Sequence, residues 1–206
     1  MLREDFCLSS EHPLAQLASC FKRFPGIGDK SSFRLAFHCL TMKQQELDLF
    51  SKELSEIKSC ILTCEKCYNI TREKLCHICQ NPLRIQQKKL CVVSEPKDVW
   101  VLEKTSVFQG LYHVLGGLIS PIDGIHPEAL RIQELLTRIK LESYDEILLA
   151  INPTVEGDTT MLFIKDKLAG QNVTLTKLAY GLPMGADMEY ADQLTLQKSL
   201  QGRVNL

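Results

Sequence analysis

No run of about 18 consecutive apolar residues occurs in this chain of 206 residues, which excludes a bilayer-spanning helix built from one such run. The opening residues, Met1-Leu2-Arg3-Glu4-Asp5, carry acids and lack an apolar core, so they do not read as a secretory signal. Neither charge sign dominates: 24 basic residues face 25 acidic ones, a net of −1 at neutral pH. Repeats, low-complexity tracts and long linkers are missing. So is a nucleotide-binding phosphate loop. Gly26-x-Gly28-x-Lys30-Ser31 echoes one superficially, but that motif needs four residues between its glycines, Lys directly after the second, and a preceding strand. ATP hydrolysis is therefore not expected. What is present is an ordinary globular composition, 45% hydrophobic and 24% charged, in a length that suits one large domain or two to three small modules.

Cysteine, by contrast, is plentiful. Four of the nine cysteines form Cys64-x2-Cys67-x8-Cys76-x2-Cys79. Each Cys-x-x-Cys pair turns two thiolates toward one point, and two pairs complete a tetrahedral Zn²⁺ shell with no position left for water, as in a structural site. The competing readings are a pair of disulfides, four unrelated buried thiols, or His77 displacing a neighbouring ligand. Cys7, Cys20, Cys39, Cys60 and Cys91 are scattered and mostly flanked by apolar residues, so they are expected to be buried small hydrophobes. Nine cysteines without a signal sequence point to a reducing compartment and a cytoplasmic location.

The near-zero net charge conceals an asymmetry. Residues 1–91 hold 14 basic against 10 acidic residues, and residues 92–206 hold 10 against 15. Lys22, Arg23, Lys30, Arg34 and Lys43 lie within 14–43, where Asp29 is the sole acid. Leu14, Leu17, Ala18 and Phe21 predict a helix ending near Arg23. Pro25, Gly26 and Gly28 then enforce a turn. Asp29 is expected to cap a second helix with Phe33, Ala36, Phe37 and Leu40 on one face. Gly26 and Gly28 would turn backbone amides outward at that helix's positive end, where Lys30 and Arg34 share a face. This helix-hairpin-helix pattern reads nucleic-acid backbone without regard to sequence. The alternatives are a glycine-bearing turn between two packing helices, and a solvated cationic face. Leu47, Phe50, Leu54 and Ile57 predict a third amphipathic helix.

After the cysteines the pattern changes to alternating strands and helices. Strands are expected at Leu90–Ser94, Tyr112–Leu115, Glu146–Ile151 and Val173–Leu178, and helices at Asp98–Lys104, Pro127–Lys140, Thr159–Leu168 and Thr195–Leu200. Such alternation implies a largely parallel sheet with helices on its faces. The segment Asn152-Pro153-Thr154-Val155-Glu156-Gly157-Asp158 resembles the acidic motif of Toprim domains. Catalytic members hold metal with an Asp-x-Asp pair before the Glu-Gly and a Glu ending the first strand. Asn152, Thr154 and Ser94 stand at those positions here, with Glu95 one residue late, so a two-carboxylate grip on Mg²⁺ is not expected.

Taken in order, PGIGDKSSFRLAFHCL (25–40), the cysteine cluster, YHVLGG (112–117), LISPIDGI (118–125), INPTVEGDTT (151–160), LAYGLPMGADMEYAD (178–192) and QGR (201–203) resemble the RecR family of bacterial recombination mediators over nearly the whole chain. The resemblance implies a multi-module α/β protein: a helix-hairpin-helix domain over 1–57, a zinc finger over 58–84, a Toprim-like domain over 85–178 and a C-terminal interface segment over 179–206. It implies a non-enzymatic, zinc-bearing scaffold of the bacterial nucleoid that binds single- and double-stranded DNA without regard to sequence and forms homodimers and ring-like homotetramers. The family acts with RecO, and in many bacteria RecF, to load RecA at gaps coated by single-strand-binding protein. It carries a DNA-contact role onto Lys30 and Arg34, more loosely onto Lys22 and Arg23, and a RecO-contact role onto Glu156 and Asp158. A dipole-stabilised carboxylate at a helix start is the alternative for Glu156. The chain departs from the family at Ser94, at Lys177 where an Arg is common, and in ending soon after Gly202-Arg203. The rival readings are a Mg²⁺-dependent nuclease or primase-like enzyme, and an adaptor that touches no DNA by itself.

Overall fold

In the computed structural model, residues 12–204 are described, and the chain divides into two compact units after Cys60. The first unit is helical: α1 (Pro13–Lys22), α2 (Asp29–Cys39) and α3 (Gln44–Cys60). Helix α1 opens on Pro13, whose missing N–H costs nothing at a first turn, and the His12 side chain caps it by accepting from the Leu14 amide. Helices α1 and α2 pack on each other, burying Ala18 and Ala36, small residues that let the backbones approach. The apolar stripes are only partly covered. Phe37 and Leu40 on α2, and Phe50, Leu54 and Ile57 on α3, are exposed, and α3 buries none of its residues.

The second unit begins with a small antiparallel ribbon, β1 (Leu62–Thr63) and β2 (Ile70–Thr71), and two short helices, α4 (His77–Gln80) and α5 (Pro82–Gln86). A four-stranded parallel sheet follows, made of β3 (Lys89–Val93), β4 (Leu111–Val114), β5 (Glu146–Leu149) and β6 (Thr174–Lys177) in the order β4-β3-β5-β6. Its helices are α6 (Pro96–Thr105), α7 (Ile132–Leu141) and α8 (Val155–Lys167), and α9 (Gln193–Gln201) closes the chain. Leu90 to Val93 and Leu111 to Val114 are buried at every position, because helices cover both faces of a parallel sheet. Adjacent residues of β4 show the two faces. Tyr112 Oη donates to Glu103 of α6 at 2.8 Å, and His113 Nε2 donates to the Arg131 carbonyl before α7 at 2.9 Å.

Several expectations need correction. Gly28, not Asp29, is the N-cap of α2: the Ser32 amide bonds to the Gly28 carbonyl, and Asp29 occupies the first helical position. The helix expected from Pro127 starts at Ile132, after a separate 3₁₀ turn at Pro127–Ala129. The break arises because Arg131 is tied to β4: its amide donates to the Leu115 carbonyl and its carbonyl accepts from His113. Helix α8 begins four residues early because the Thr154 hydroxyl caps it, accepting from the Gly157 amide. Of the scattered cysteines, Cys91 is buried, but Cys20 and Cys60 are exposed and Cys39 is intermediate. Cys60 ends a helix that buries nothing, and Cys20 lies two positions past buried Ala18, on the far side of α1. Cys7 lies outside the described residues.

His113 generates a pH prediction. It is fully buried, and burial pushes its pKa down from 6.5 to about 4. The unfolded chain therefore binds the proton that the folded chain refuses. The resulting stability is full above about pH 6.5 and declines as pH falls toward 4, by about 1.4 kcal/mol per unit. In thermal melts between pH 5 and 7 at buffered metal, His113→Gln should flatten this slope. An unchanged slope would refute the assignment to His113.

Candidate nucleic-acid interface and metal centre

The turn between α1 and α2 is built from local bonds. The Phe24 amide donates to Phe21 and the Ile27 amide to Phe24, and Gly26 sits at φ +79°, a left-handed conformation that other residues adopt only with strain. Gly28 is different. Its backbone is extended, φ −88° and ψ 179°, which any residue adopts, and a Cβ built there would meet nothing within 4 Å. Glycine at 28 is thus not demanded by folding. It leaves open the approach to the Asp29, Lys30 and Ser31 amides, which precede the first intrahelical donor and which no side chain caps. Lys30 and Arg34 are exposed one helical turn apart beside those donors. Among the described residues no ion pair engages either of them. Lys22, by contrast, pairs with Asp29 across the turn at 2.6 Å, so its charge is partly committed to holding the hairpin. Arg23 is exposed at the end of α1.

The cysteine cluster lies within the second unit. The Sγ atoms of Cys64, Cys67, Cys76 and Cys79 all fall within 4.8 Å of one another, and all four residues are buried. The Cys76 amide donates to Cys64 Sγ at 3.3 Å, and Tyr68 takes a left-handed turn at φ 61° that folds the first pair back. His77 is exposed and outside the cluster, which removes it as a competing ligand. Hydrogen bonding between Cys67 and Cys76, whose sulfurs lie 3.6 Å apart, pushes Cys67 well above and Cys76 well below the ordinary thiol range. Four buried sulfurs at this spacing match the donor set of a closed tetrahedral metal site.

This cluster is not a free-standing finger. The Val114 amide of β4 donates to the Cys67 carbonyl at 2.8 Å. Arg138 of α7, 7% exposed, donates from Nη1 to the carbonyls of Lys66 and Tyr112, and from Nε to Glu142. Glu142 also accepts from Lys66 and from the Tyr144 hydroxyl. On the other face of β4, Arg84 of α5 makes a two-pronged pair with Glu103 and reaches the Gly110 carbonyl. Sequence reasoning missed these arginines. Arg138 and Glu142 look like a solvent-facing i,i+4 pair, and nothing local marks the backbone they reach, 72 residues away.

At the C-terminal end of β5, Glu156 and Asp158 occupy the first turn of α8, both half-buried. Gly157 between them is required by packing: a Cβ there would lie 2.1 Å from the Asn152 carbonyl oxygen. Tyr180 Oη donates to Asp158 at 3.4 Å, and Lys177 lies over the Tyr180 ring at 4.5 Å. Ser94, where catalytic Toprim domains carry Glu, donates to Asp98, which also accepts from the Glu95 amide. Glu95 itself turns outward to Lys97. The carboxylates near the end of β3 are thus engaged in capping α6 and in a surface ion pair.

Comparison with known proteins agrees with this architecture. Residues 14–58 match the RecR helix-hairpin-helix family, 88–179 the Toprim domain family and 181–204 the RecR C-terminal family. Proteins named recombination protein RecR are similar along almost their whole length. One from Prochlorococcus marinus subsp. pastoris is 48% identical, covering 94% of this chain and 96% of the relative. One from Herpetosiphon aurantiacus is 46% identical over 93% of each. One from Synechococcus elongatus is 45% identical, covering 94% of this chain and 96% of the relative. With a matching hairpin, cysteine cluster, parallel sheet and C-terminal helix, the chain belongs to the RecR family of recombination proteins.

Proposed function

We propose that this chain is a non-enzymatic DNA-binding scaffold of recombinational repair. It closes around DNA as a ring of four subunits and acts with RecO, and with RecF where that partner is present, to load RecA at gaps. The observation that carries the reading is the uncapped amide end of α2 beside Lys30 and Arg34, reached through an unfilled Gly28. Backbone N–H groups at a helix N-terminus and two free cations suit phosphate oxygens and carry no base information. Arg23 adds charge at the edge of the site. Lys22 adds charge too, since its exposed pair with Asp29 is a weak surface pair.

One hairpin is a weak binder, and assembly multiplies it through avidity. Four subunits neutralising two phosphates each make about eight contacts on duplex DNA. Glu156 and Asp158 are proposed as the RecO contact, with Asp158 oriented by Tyr180. The four cysteines hold one Zn²⁺ per chain in a structural role. The residues that would serve Toprim metal chemistry are Ser94, Asn152 and Thr154, which supports a scaffold over a nuclease or primase. The division into hairpin domain, zinc segment, Toprim-like domain and C-terminal interface, and a cytoplasmic location, complete the proposal.

The hairpin reading predicts a trade between stability and binding. Gly28→Ser supplies a preferred N-cap whose hydroxyl claims the free amides, so it should stabilise the fold by a few tenths of a kcal/mol, roughly, while weakening DNA binding. Gly26→Ala should cost about 1 kcal/mol of stability through its left-handed backbone. Thermal melts and a binding titration distinguish them, and Gly28→Ser binding DNA as well as wild type would count against the site. On duplex DNA the wild-type tetramer should show a log–log salt slope of about −7, an affinity loss of about ten-thousandfold between roughly 50 and 200 mM salt. Lys30→Ala/Arg34→Ala should lose most of that slope while keeping its assembly. A slope near −1 from a confirmed tetramer, by rough counterion counting, sinks the clamp.

Zinc ligation of this kind contributes roughly 10–16 kcal/mol of apparent folding free energy. Cys64→Ala should therefore lose the metal, measured by elemental analysis, together with the cooperative melt of the whole second unit, because Lys66 and Cys67 carry the contacts to β4 and α7. A Cys64→Ala protein that stays folded with full DNA affinity contradicts the structural role.

A further inference from the structure

Helix α6 carries an outward face that the hairpin reading does not use. Lys97, Trp100, Val101 and Lys104 recur at i, i+3, i+4 and i+7 and form one exposed stripe, with Trp100 71% and Val101 63% accessible. Trp100 is the single tryptophan of the chain. Lys104 Nζ sits 5.1 Å from the indole centroid, which holds the ring in place. The acids of this helix are withdrawn from the stripe. Asp98 is occupied by Ser94 and the Glu95 amide, and Glu103 by Arg84 and Tyr112. Glu95, before the helix, pairs with Lys97 at 2.8 Å with both side chains well exposed. Such a pair is weak and readily exchanged for another anion.

We infer that this stripe is a second nucleic-acid contact, a stacking platform for single-stranded DNA: one unpaired base lies on Trp100 and the flanking phosphates meet Lys97 and Lys104. The charge is complementary, since two lysines share the stripe with the indole and the helix's own carboxylates are turned away. Lys104 lies over one face of the indole, which leaves the other face for a base, and Lys97 stands on the same stripe about 10 Å along the helix from Lys104. Stacking on a π-face tolerates any base, and only an unpaired base can reach it, so the site favours single strands without reading sequence. The hairpin contact and this one are on separate elements, and neither requires the other.

The single tryptophan makes the test direct. Full-length protein is titrated with oligodeoxythymidylate and with a duplex of equal length, following intrinsic fluorescence together with the anisotropy of a dye on the DNA. The single strand should quench Trp100 saturably, and the duplex far less. The quench should persist in Lys30→Ala/Arg34→Ala, whose own failure to weaken duplex binding would instead count against the hairpin. Trp100→Ala, checked for an unchanged melt, should bind the single strand about tenfold more weakly, and Trp100→Phe should recover most of the loss. Lys97→Ala/Lys104→Ala should reduce the single-strand salt slope by about 1.4. The inference is overturned if the oligonucleotide binds without quenching, if it fails to bind the hairpin double variant, or if Trp100→Ala binds like wild type. A Trp100→Ala protein with full single-strand affinity but impaired RecO binding would reassign the stripe to a protein contact.

Discussion

Strand β4 is the edge of a parallel sheet, and an open edge is a row of unpaired main-chain groups. The cysteine segment closes it. The Cys67 carbonyl takes the Val114 amide, Arg138 joins the Lys66 and Tyr112 carbonyls on one face, and on the other Arg84 braces Glu103 and Gly110 while the Tyr112 hydroxyl donates to the same Glu103. Tyr68 adds an edge-on contact with His113, and Arg131 lies over the Tyr68 ring. A knuckle held by four sulfurs is stiff, and stiffness is what an edge closure needs, since a mobile cover would leave β4 open to another strand. The cysteines therefore do more than fold their own 16 residues. They also cover the outer edge of β4, whose register is set on its other side by the ladder with β3.

The Toprim-like start of α8 rests on local packing that needs no metal-binding acids. The fold of the α8 start rests on Gly157 packed against Asn152 and on Thr160, whose hydroxyl accepts from the Ile119 amide and donates to the Glu156 carbonyl. These are packing requirements of a helix that follows a strand closely, and they hold whatever the first turn does. Asn152 and Thr154 are free to serve as a loop residue and an N-cap. Glu156 and Asp158 remain at the positive end of a helix, where a carboxylate is stabilised by the dipole and still open to a partner.

The sequence was most legible where the determinant is local. The cysteine spacing, the glycine turn and the alternation of apolar runs each act within a few residues, and the cluster, the hairpin and the four parallel strands follow them. The stripes on α2 and α3 were legible as apolar faces, but periodicity says nothing about what covers a face, and Phe37, Leu40, Phe50, Leu54 and Ile57 stay exposed. Burial of Cys20 and Cys60 was misread for the same reason: apolar flanks on a helix lie around its circumference, not beside the residue. The break before α7 and the roles of Arg84 and Arg138 were illegible because their partners are distant in sequence. A basic residue near an acid reads as surface until another segment is laid over it.

Several of the chain's cations are already answered by acids distant in sequence. The basic excess of residues 1–91 includes Lys66, Arg84 and Lys89, yet each is paired with an acid of the later half, Glu142, Glu103 and Glu146. Those pairs join the cysteine segment and β3 to the rest of the sheet unit, so their cations are not offered to a ligand. Lys22 is likewise answered by Asp29. Removing the paired groups still leaves cations spread along the chain, and among them Lys30 and Arg34 are the ones that lie beside uncapped backbone amides. A net charge of −1 is then no argument against binding a polyanion, because a phosphate responds to the charges within a Debye length, about 8–10 Å at ordinary salt, and not to the sum over the chain.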